Sequence, residues 1–489
     1  MDDQKDLWRR EVTAFVQGSP GAFAASGKAA PELLLFQLEG VQEFVTQART
    51  ANDLWSASCL VSSLMACALR AVTDEVSAEA VLYPSLSGDA LDAPRQGLSA
   101  LPDRFLAVVP SGRGQPLAEK AQAALRAELA RIGDTVFQEA WDRALWDAQL
   151  QRFPRVVWAV EAWRKEKDWT AHCADLGGKL AARRNTYDFD AWPAKGGEWK
   201  DSLSGVEEAL AQEDGKPYGA LNLIRRNWRK NGPGERSFRR VSAYFAVLAV
   251  AADGLPKRDA SQAFTPALHL SQSAALAKFA AVQARQIAER LGGEFLYARG
   301  GDVLVLVPAG KAIPCAQQLR AAFRDGVGGE LTCGIAIGYR TASFQMLLRE
   351  AYRMRAATKS GGANAAISLV IYKRASEIIE WGCAWRSKAL ELMETVSQLN
   401  KAKRISNRFP YVLAELLQPY GLGSPIFSAP VILAEFAHVA SRQGRDQGDA
   451  LFGMATQYLC EIPQGKVQDF LNLFRVGNFF DRISGGYSA

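Results

Sequence analysis

Two aspartates carry the sharpest chemical signal in the sequence. Asp253 ends the apolar run YFAVLAVAAD (244–253), and Asp302 follows the paired glycines of EFLYARGGDVLVLVP (294–308). The apolar patterning predicts strands on both segments, joined in the second by a tight turn where Gly300 and Gly301 both supply positive φ. In a β-α-β-β-α-β unit these two acids fall at one end of neighbouring strands. Carboxylates so placed can hold divalent cations that clamp a triphosphate and activate a hydroxyl. Two-cation chemistry ordinarily draws on more than two carboxylates, and an aspartate at a strand end or in a turn also serves local turn geometry.

The elements that must position them can be read around the pair. After strand 244–253, helical spacing covers 267–291, then the 294–308 hairpin, helix 314–325, strand 331–339, helix 344–358 and strand 367–373. That is the ferredoxin-like split order. An earlier unit has a related order: strand LLLFQL (33–38), a helix from Val41, a helix over 54–72 capped by Asn52-Asp53, strands 81–84 and 104–110, a long helix over 115–147 and strand 156–163. The fold class is α+β, with two ferredoxin-like domains, each sheet covered on one side by helices. The reading divides the chain into a tail (1–30), a first domain (31–163), a polar insert with weak periodicity (164–243), a second domain (244–375) and a helical C-terminal domain (376–489). In the last, NLFRVGNFFDRI (472–483) reads as core rather than as a docking surface.

Composition excludes several classes. The 489 residues are 48% hydrophobic and 22% charged, which rules out disorder and fibrous repeats. Lys plus Arg is 58 against 52 acids, a balance of +6 that permits a nucleic-acid partner without requiring one. Seven scattered cysteines with no C-x-x-C pair point to reduced, buried thiols in a cytoplasmic protein rather than to disulfides or thiolate zinc. Three histidines are too few for a histidine-rich metal hydrolase. The N-terminus lacks a secretory core, and no membrane span is expected.

The motifs together resemble the large subunit of type III CRISPR–Cas effector complexes, the type III-B form in particular, over nearly the whole chain from Leu33. FQLEGVQEFVTQARTANDLWSASCLVSSL (36–64) is similar to that family's Val-Gln-x-Phe-Ile helix and its Ala-Arg-x-x-x-Asp-Leu-Trp segment. LPDRFLAVVP (101–110), FPRVVWAVEAW (153–163) and HLSQSAALAKF (269–279) resemble further family segments, and FLYARGGDVLVLVP stands where the family has Tyr-Ala-Gly-Gly-Asp-Asp-Val-Leu. The resemblance implies two palm domains, guide RNA and target RNA as partners, and backbone, small and handle-binding subunits beside this one. It also implies synthesis of cyclic oligoadenylates from ATP in the second palm and DNA cutting by a His-Asp nuclease domain.

Four departures alter that expectation. No His-Asp pair precedes Leu33, so DNA cleavage by this chain is not expected. Arg299-Gly300-Gly301-Asp302 replaces Gly-Gly-Asp-Asp, with Gly301 in place of the first acid. Ala251-Ala252-Asp253 replaces the family's Asp-Gly-Asp. Asp201 and Ser204 stand where a zinc-binding C-x-x-C is usual, and without soft ligands a tetrahedral zinc is not expected. The reading is therefore a catalytically degenerate subunit with no cofactor, retaining Asp253 and Asp302 as residual acids. The alternative is a cyclic-oligoadenylate synthetase or nucleotide sensor with a divergent site. It would use ATP and Mg²⁺, with Arg299, Gly300, Gly301 and Lys359 as nucleotide contacts; a stand-alone nucleotide sensor is a weaker variant. His269 and Ser273 read as packing or helix-surface residues. Basic clusters with Trp228, Phe238 and Phe409 interleaved suit an RNA backbone: Arg225, Arg226, Arg229, Lys230, Arg239, Arg240, Lys403 and Arg404. A solvated basic face is the competing explanation for each cluster.

Overall fold

The computed structural model describes residues 2–17, 30–86, 89–164, 166–186, 199–230, 242–253, 264–360, 366–374, 376–403, 406, 408–420, 429–442, 452–453, 455–458 and 467–484. Helix α1 (Asp2–Gln17) precedes β1 (Glu32–Glu39), α2 (Val41–Thr46) and α3 (Ala51–Thr73). Then come β2 (Val81–Tyr83), β3 (Arg104–Val109), α4 (Gly114–Asp134), α5 (Arg143–Arg152) and β4 (Arg155–Ala162). These strands form one sheet in the order β2-β3-β1-β4. Strand alternation sorts its residues. Leu34, Phe36 and Leu38 are buried beneath the helices, whereas Leu35 and Gln37 line an open cleft on the other face.

The N-cap of α3 is Thr50, not the predicted Asn52-Asp53 pair. The Asp53 amide donates to Thr50 Oγ1 (3.0 Å), and the Thr50 amide donates to Asp53 Oδ2 (3.2 Å). This reciprocal box satisfies two orphan amides. Among the described residues α3 is the one helix long and apolar enough to cross a membrane, and it is largely buried inside the fold. The predicted 115–147 helix is broken at 135–142, where Asp142 caps α5 through the Leu145 amide (3.0 Å).

The insert is more ordered than its weak periodicity suggested. It holds α6 (Trp169–Asn185), a hairpin of β5 (Ala211–Glu213) and β6 (Lys216–Tyr218), and α7 (Ala220–Asn227). Helix α6 packs on β4 through Leu176 and Leu180, with Trp163, Trp169 and Phe15 clustered at its start.

The second unit runs β7 (Tyr244–Ala252), α8 (Pro266–Lys278), a π turn (Phe279–Gln283), α9 (Ala284–Arg290), β8 (Glu294–Arg299), β9 (Asp302–Pro308), α10 (Ala312–Val327) and β10 (Leu331–Tyr339). Next are α11 (Phe344–Ser360), β11 (Ala366–Tyr372) and β12 (Ile378–Ala384), giving the order β12-β11-β10-β7-β9-β8. Its core, β10-β7-β9-β8, repeats the connectivity of the first sheet, fourth-first-third-second in each. That shared order is a structural repeat that sequence self-similarity does not reveal. Phe245, Val247 and Ala249 face the first unit, and Ala246, Leu248 and Val250 face the C-terminal side.

Strand β12 lies inside the segment predicted to be helical throughout. It is an edge strand whose Ile379 and Trp381 point inward while Ile378 and Glu380 are exposed, a pattern too short to stand out among helices. Helices α12 (Ala389–Lys401), α13 (Phe409–Leu417), α14 (Ala429–Ser441) and α15 (Val467–Ser484) follow. In α15, Leu473, Phe474, Val476 and Phe479 are core, as the sequence suggested.

Six cysteines are described, and no disulfide joins any two of them. Burial pushes the Cys59 and Cys315 thiols up to about 12 and raises Cys333 well above the ordinary thiol range. Thiolate is the reactive form. Burial also raises the Cys67 thiol, so exposure sets the order: iodoacetamide should label the half-buried Cys67, Cys173 and Cys383 in the native chain, and reach Cys59, Cys315 and Cys333 only in denaturant, as read by peptide mass mapping.

Candidate functional site

The register of β7 and β9 sets Val250 opposite Val303, so Asp253 and Asp302 lie at the same end of neighbouring strands. Their carboxylates are engaged separately. The Asp253 amide donates to Glu330 O (2.9 Å), and its carboxylate accepts a short hydrogen bond from the buried Thr332 hydroxyl at the start of β10. Asp302 is exposed and pairs with Arg355 of α11, Nη1 to Oδ1 at 3.4 Å. Arg355 also reaches the Val250 carbonyl at 3.5 Å.

The turn differs from expectation in one instructive way. Gly300 has φ +61°, but Gly301 does not take a positive φ. Gly301 is needed for space. A Cβ there would sit 2.4 Å from the Ala252 methyl, inside any real carbon–carbon contact. Two of the departures from the resembled motifs thus face each other: the Ala252 methyl fills the room that a side chain at 301 would enter.

The turn opens onto a cleft of about 710 Å³ between the two units. The open face of the first sheet supplies Gln37 and Arg104, β2 supplies Tyr83, α8 supplies His269, Gln272 and Ser273, and the hairpin supplies Arg299 to Asp302. Asp302 lines this cleft and Asp253 does not. Three contacts fix the walls to each other. The Ala298 amide donates to Ser99 O (3.0 Å), the Ser85 amide donates to Ser273 Oγ (2.7 Å), and His269 packs edge-on against Trp169 at 5.9 Å. Ser273 and His269 are therefore joints between the units as well as cleft residues.

Arg299 leans on the Tyr297 ring, 5.0 Å from its centroid, and its buried Nε and Nη2 have no hydrogen-bond partner among the described residues. The Tyr297 hydroxyl is bonded to that of Tyr352 (2.7 Å), and burial raises its pKa well above the ordinary value. Lys359 lies near the end of α11, and its side chain is outside the described atoms. Thr332, Arg355, Arg104 and Tyr83 were missed from sequence. One signal was available: Arg355 is four residues before Lys359 and shares its helix face.

The predicted basic cluster is largely internal. Arg225 is fully buried, donates from Nη2 to Phe44 O and lies 4.2 Å over the Phe44 ring, and burial pushes its pKa down to about 10. Arg226 is held by Glu213 (3.0 Å) and Asp214 (2.7 Å). Arg229 Nη2 donates to the Pro94 carbonyl at 2.8 Å. Among the described residues of that cluster only Lys230 is exposed, because Arg225 turns inward onto Phe44 of α2 and Arg226 onto the β5–β6 hairpin. Lys403 is exposed, whereas Phe409 is a core ring packed against Phe436 and Phe474. Arg239, Arg240, Arg404 and Phe238 lie outside the described residues.

Asp201 and Ser204 form a knuckle held by hydrogen bonds. Asp201 is 1% exposed and accepts from the Leu203 amide (2.8 Å), the Ser204 amide (2.8 Å), the Gly219 amide (2.6 Å) and Asn222 Nδ2 (2.8 Å). Ser204 Oγ accepts from the Val206 and Glu207 amides, both at 3.3 Å. Among the described residues no three His, Cys, Asp or Glu side chains converge as a metal-holding group.

Comparison with known proteins gives these parts a family. The N-terminal domain of CRISPR-associated protein Cmr2 matches residues 33–134, and the second palm domain of Cas10/Cmr2 matches residues 244–367. The chain is 30% identical over 129 residues to the CRISPR system Cmr subunit Cmr2 of Pyrococcus furiosus, a stretch covering 24% of this chain and 14% of that relative. Among solved structures, a type III-B Cmr-beta complex in the apo state superposes with a TM-score of 0.61 at 11% identity, covering 93% of this chain and 82% of that one. A Csm1–Csm4 cassette in complex with pppApApA gives 0.54 at 13% identity, covering 92% and 69%. At such identity these are likenesses of fold. With both domain signatures in order on two sheets of shared connectivity, the chain carries two domains of the Cas10/Cmr2 family, the Cmr2 N-terminal domain over 33–134 and the Cas10/Cmr2 second palm over 244–367.

Proposed function

We propose that this chain is the large subunit of a cytoplasmic RNA-guided type III complex in antiviral defence, and that it acts as a scaffold without cyclase activity. Its place would be at the guide-RNA 5′ handle and the target 3′ flank, beside backbone, small and handle-binding subunits, with target cleavage belonging to another subunit. One observation carries the loss of chemistry: the Ala252 methyl occupies the space beside Gly301. The residual acids add to it, since Thr332 engages Asp253 and Arg355 neutralises Asp302. This donor set does not suit a pair of divalent cations, which need several converging carboxylate oxygens, and no step is derived through them. Exposed Lys230 and Lys403 remain candidates for backbone contact with RNA.

Arg299 favours a second reading. Its unpaired buried nitrogens, beside the Gly300–Gly301 turn, suit nucleotide binding without turnover, in which Lys359 would join. The test of the main reading is co-expression with the genomic neighbours, purification through a tag on this chain and sequencing of the bound RNA. Guide RNAs with a constant 5′ handle, together with backbone subunits, are the expected yield. Recovery of the chain alone would remove the complex role and move weight to nucleotide binding.

A further inference from the structure

A cavity of about 300 Å³ lies away from the palm cleft, between α3, α4, the 93–96 turn and residues 228–229. Arginines bound it: Arg70 of α3, Arg95 of the turn, Arg131 of α4, and Arg229. The Trp228 indole supplies an apolar wall, with the Arg229 guanidinium stacked 4.6 Å from a ring centroid. Glu128 is the one carboxylate on the lining, and it grips Arg131 through two bonds of 2.7 and 2.6 Å. Asp92, just outside, pairs with both Arg70 (2.7 Å) and Arg95 (3.3 Å). Among the described residues four guanidinium groups thus face two carboxylates, an excess of two positive charges around one concavity. Arg229 spends Nη2 on the Pro94 and Arg95 carbonyls (2.8 and 3.2 Å), while its buried Nε has no partner among the described residues. The side chains of Arg95 and Arg131 are 76% and 62% exposed, so a ligand can reach them.

A planar guanidinium fork matches phosphate oxygens in a way that a solvated lysine face does not. We infer that this arginine cavity is a phosphate-binding site, for a phosphate carried by a single RNA strand or by a free nucleotide. It stands apart from the palm cleft and does not depend on the reading given for that cleft. The two are nonetheless joined along the chain. Pro94 and Arg95 wall the cavity, Ser99 bonds to Ala298 of the hairpin strand, and Pro102, Asp103 and Arg104 line the cleft. A phosphate gripped at one end of this segment bears on the position of the other.

The test uses the full chain and the variant Arg95→Ala/Arg131→Ala, whose altered side chains are exposed and whose folding is checked by circular dichroism melts. The control Arg285→Ala/Arg324→Ala removes two exposed arginines elsewhere. Fluorescence anisotropy with a labelled single-stranded RNA of about 12 nucleotides, titrated across salt, reads the strand arm. Calorimetry with inorganic phosphate and with metal-free ATP reads the free-ligand arm. The expected result is a loss of tenfold or more in affinity and a salt slope smaller by about two in the variant, with the control unchanged. A loss confined to RNA assigns a strand phosphate, and a loss confined to phosphate or ATP assigns a free nucleotide. Unchanged binding of all three probes in the variant, or no binding of any by the native chain, overturns the site.

Discussion

Gly301→Asp alone is expected to destabilise the second palm while restoring no divalent-cation binding. A Cβ at 301 meets the Ala252 methyl at 2.4 Å and the Ala252 amide nitrogen at 3.3 Å, on two strand ends held in register. Overpacking of this kind costs about 1–3 kcal/mol. Adding Ala252→Gly removes the obstructing methyl, so the pair should recover most of the stability that the single change loses. The coupling is a double-mutant cycle with a large interaction term. Urea unfolding of the four chains measures it, and calorimetric Mn²⁺ titration of the single variant measures the cation. Additive effects, or tight Mn²⁺ binding by Gly301→Asp alone, would show that the two positions do not obstruct each other.

Asp201→Ala is expected to loosen the insert at the position where the resembled family holds a structural metal. The carboxylate satisfies four donors, two of them, on Gly219 and Asn222, in buried surroundings. Charge-assisted hydrogen bonds contribute about 1.5–3 kcal/mol each, and buried donors left without an acceptor add a desolvation cost. It also acts on the buried Arg225, whose charge would then be balanced chiefly by Asp53. The loss should be about 3 kcal/mol or more, with hydrogen exchange rising first across 201–222. Chelators should leave the native chain's melting unchanged, because the knuckle is closed by a carboxylate. A chelator-sensitive transition would contradict that account.

Much of the architecture was legible from the chain. The apolar runs at 33–38, 244–253 and 294–308 are unbroken enough to declare strands, and a two-glycine turn declares a hairpin. The placement of Asp253 and Asp302 followed from topology. Their partners did not, because Thr332 and Arg355 arrive from β10 and α11, roughly 80 and 50 residues away in sequence. The contact between Ala252 and Gly301 was hidden for the same reason: Gly301 reads as a lost ligand and Ala252 as a filled glycine position, and only the strand register makes them neighbours. Arg225 misled in the opposite direction. A guanidinium in a basic run reads as surface, yet the cation–π contact with Phe44 and the hydrogen bond to its carbonyl hold it inside. Strand β12 escaped because an exposed edge strand has few inward residues to announce it. The arginine cavity draws on α3, the 93–96 turn, α4 and the end of α7, and no single segment of the sequence signals it.

The most direct test of the central claim is turnover in the assembled complex. The purified complex containing this chain is incubated with cognate target RNA, ATP and either Mg²⁺ or Mn²⁺, and the products are resolved by mass spectrometry. The account predicts ATP returned intact, with no oligoadenylate above the level of a complex lacking this subunit. Cyclic oligoadenylate made by the native complex and lost on Asp302→Ala would contradict it and assign the chemistry to this palm.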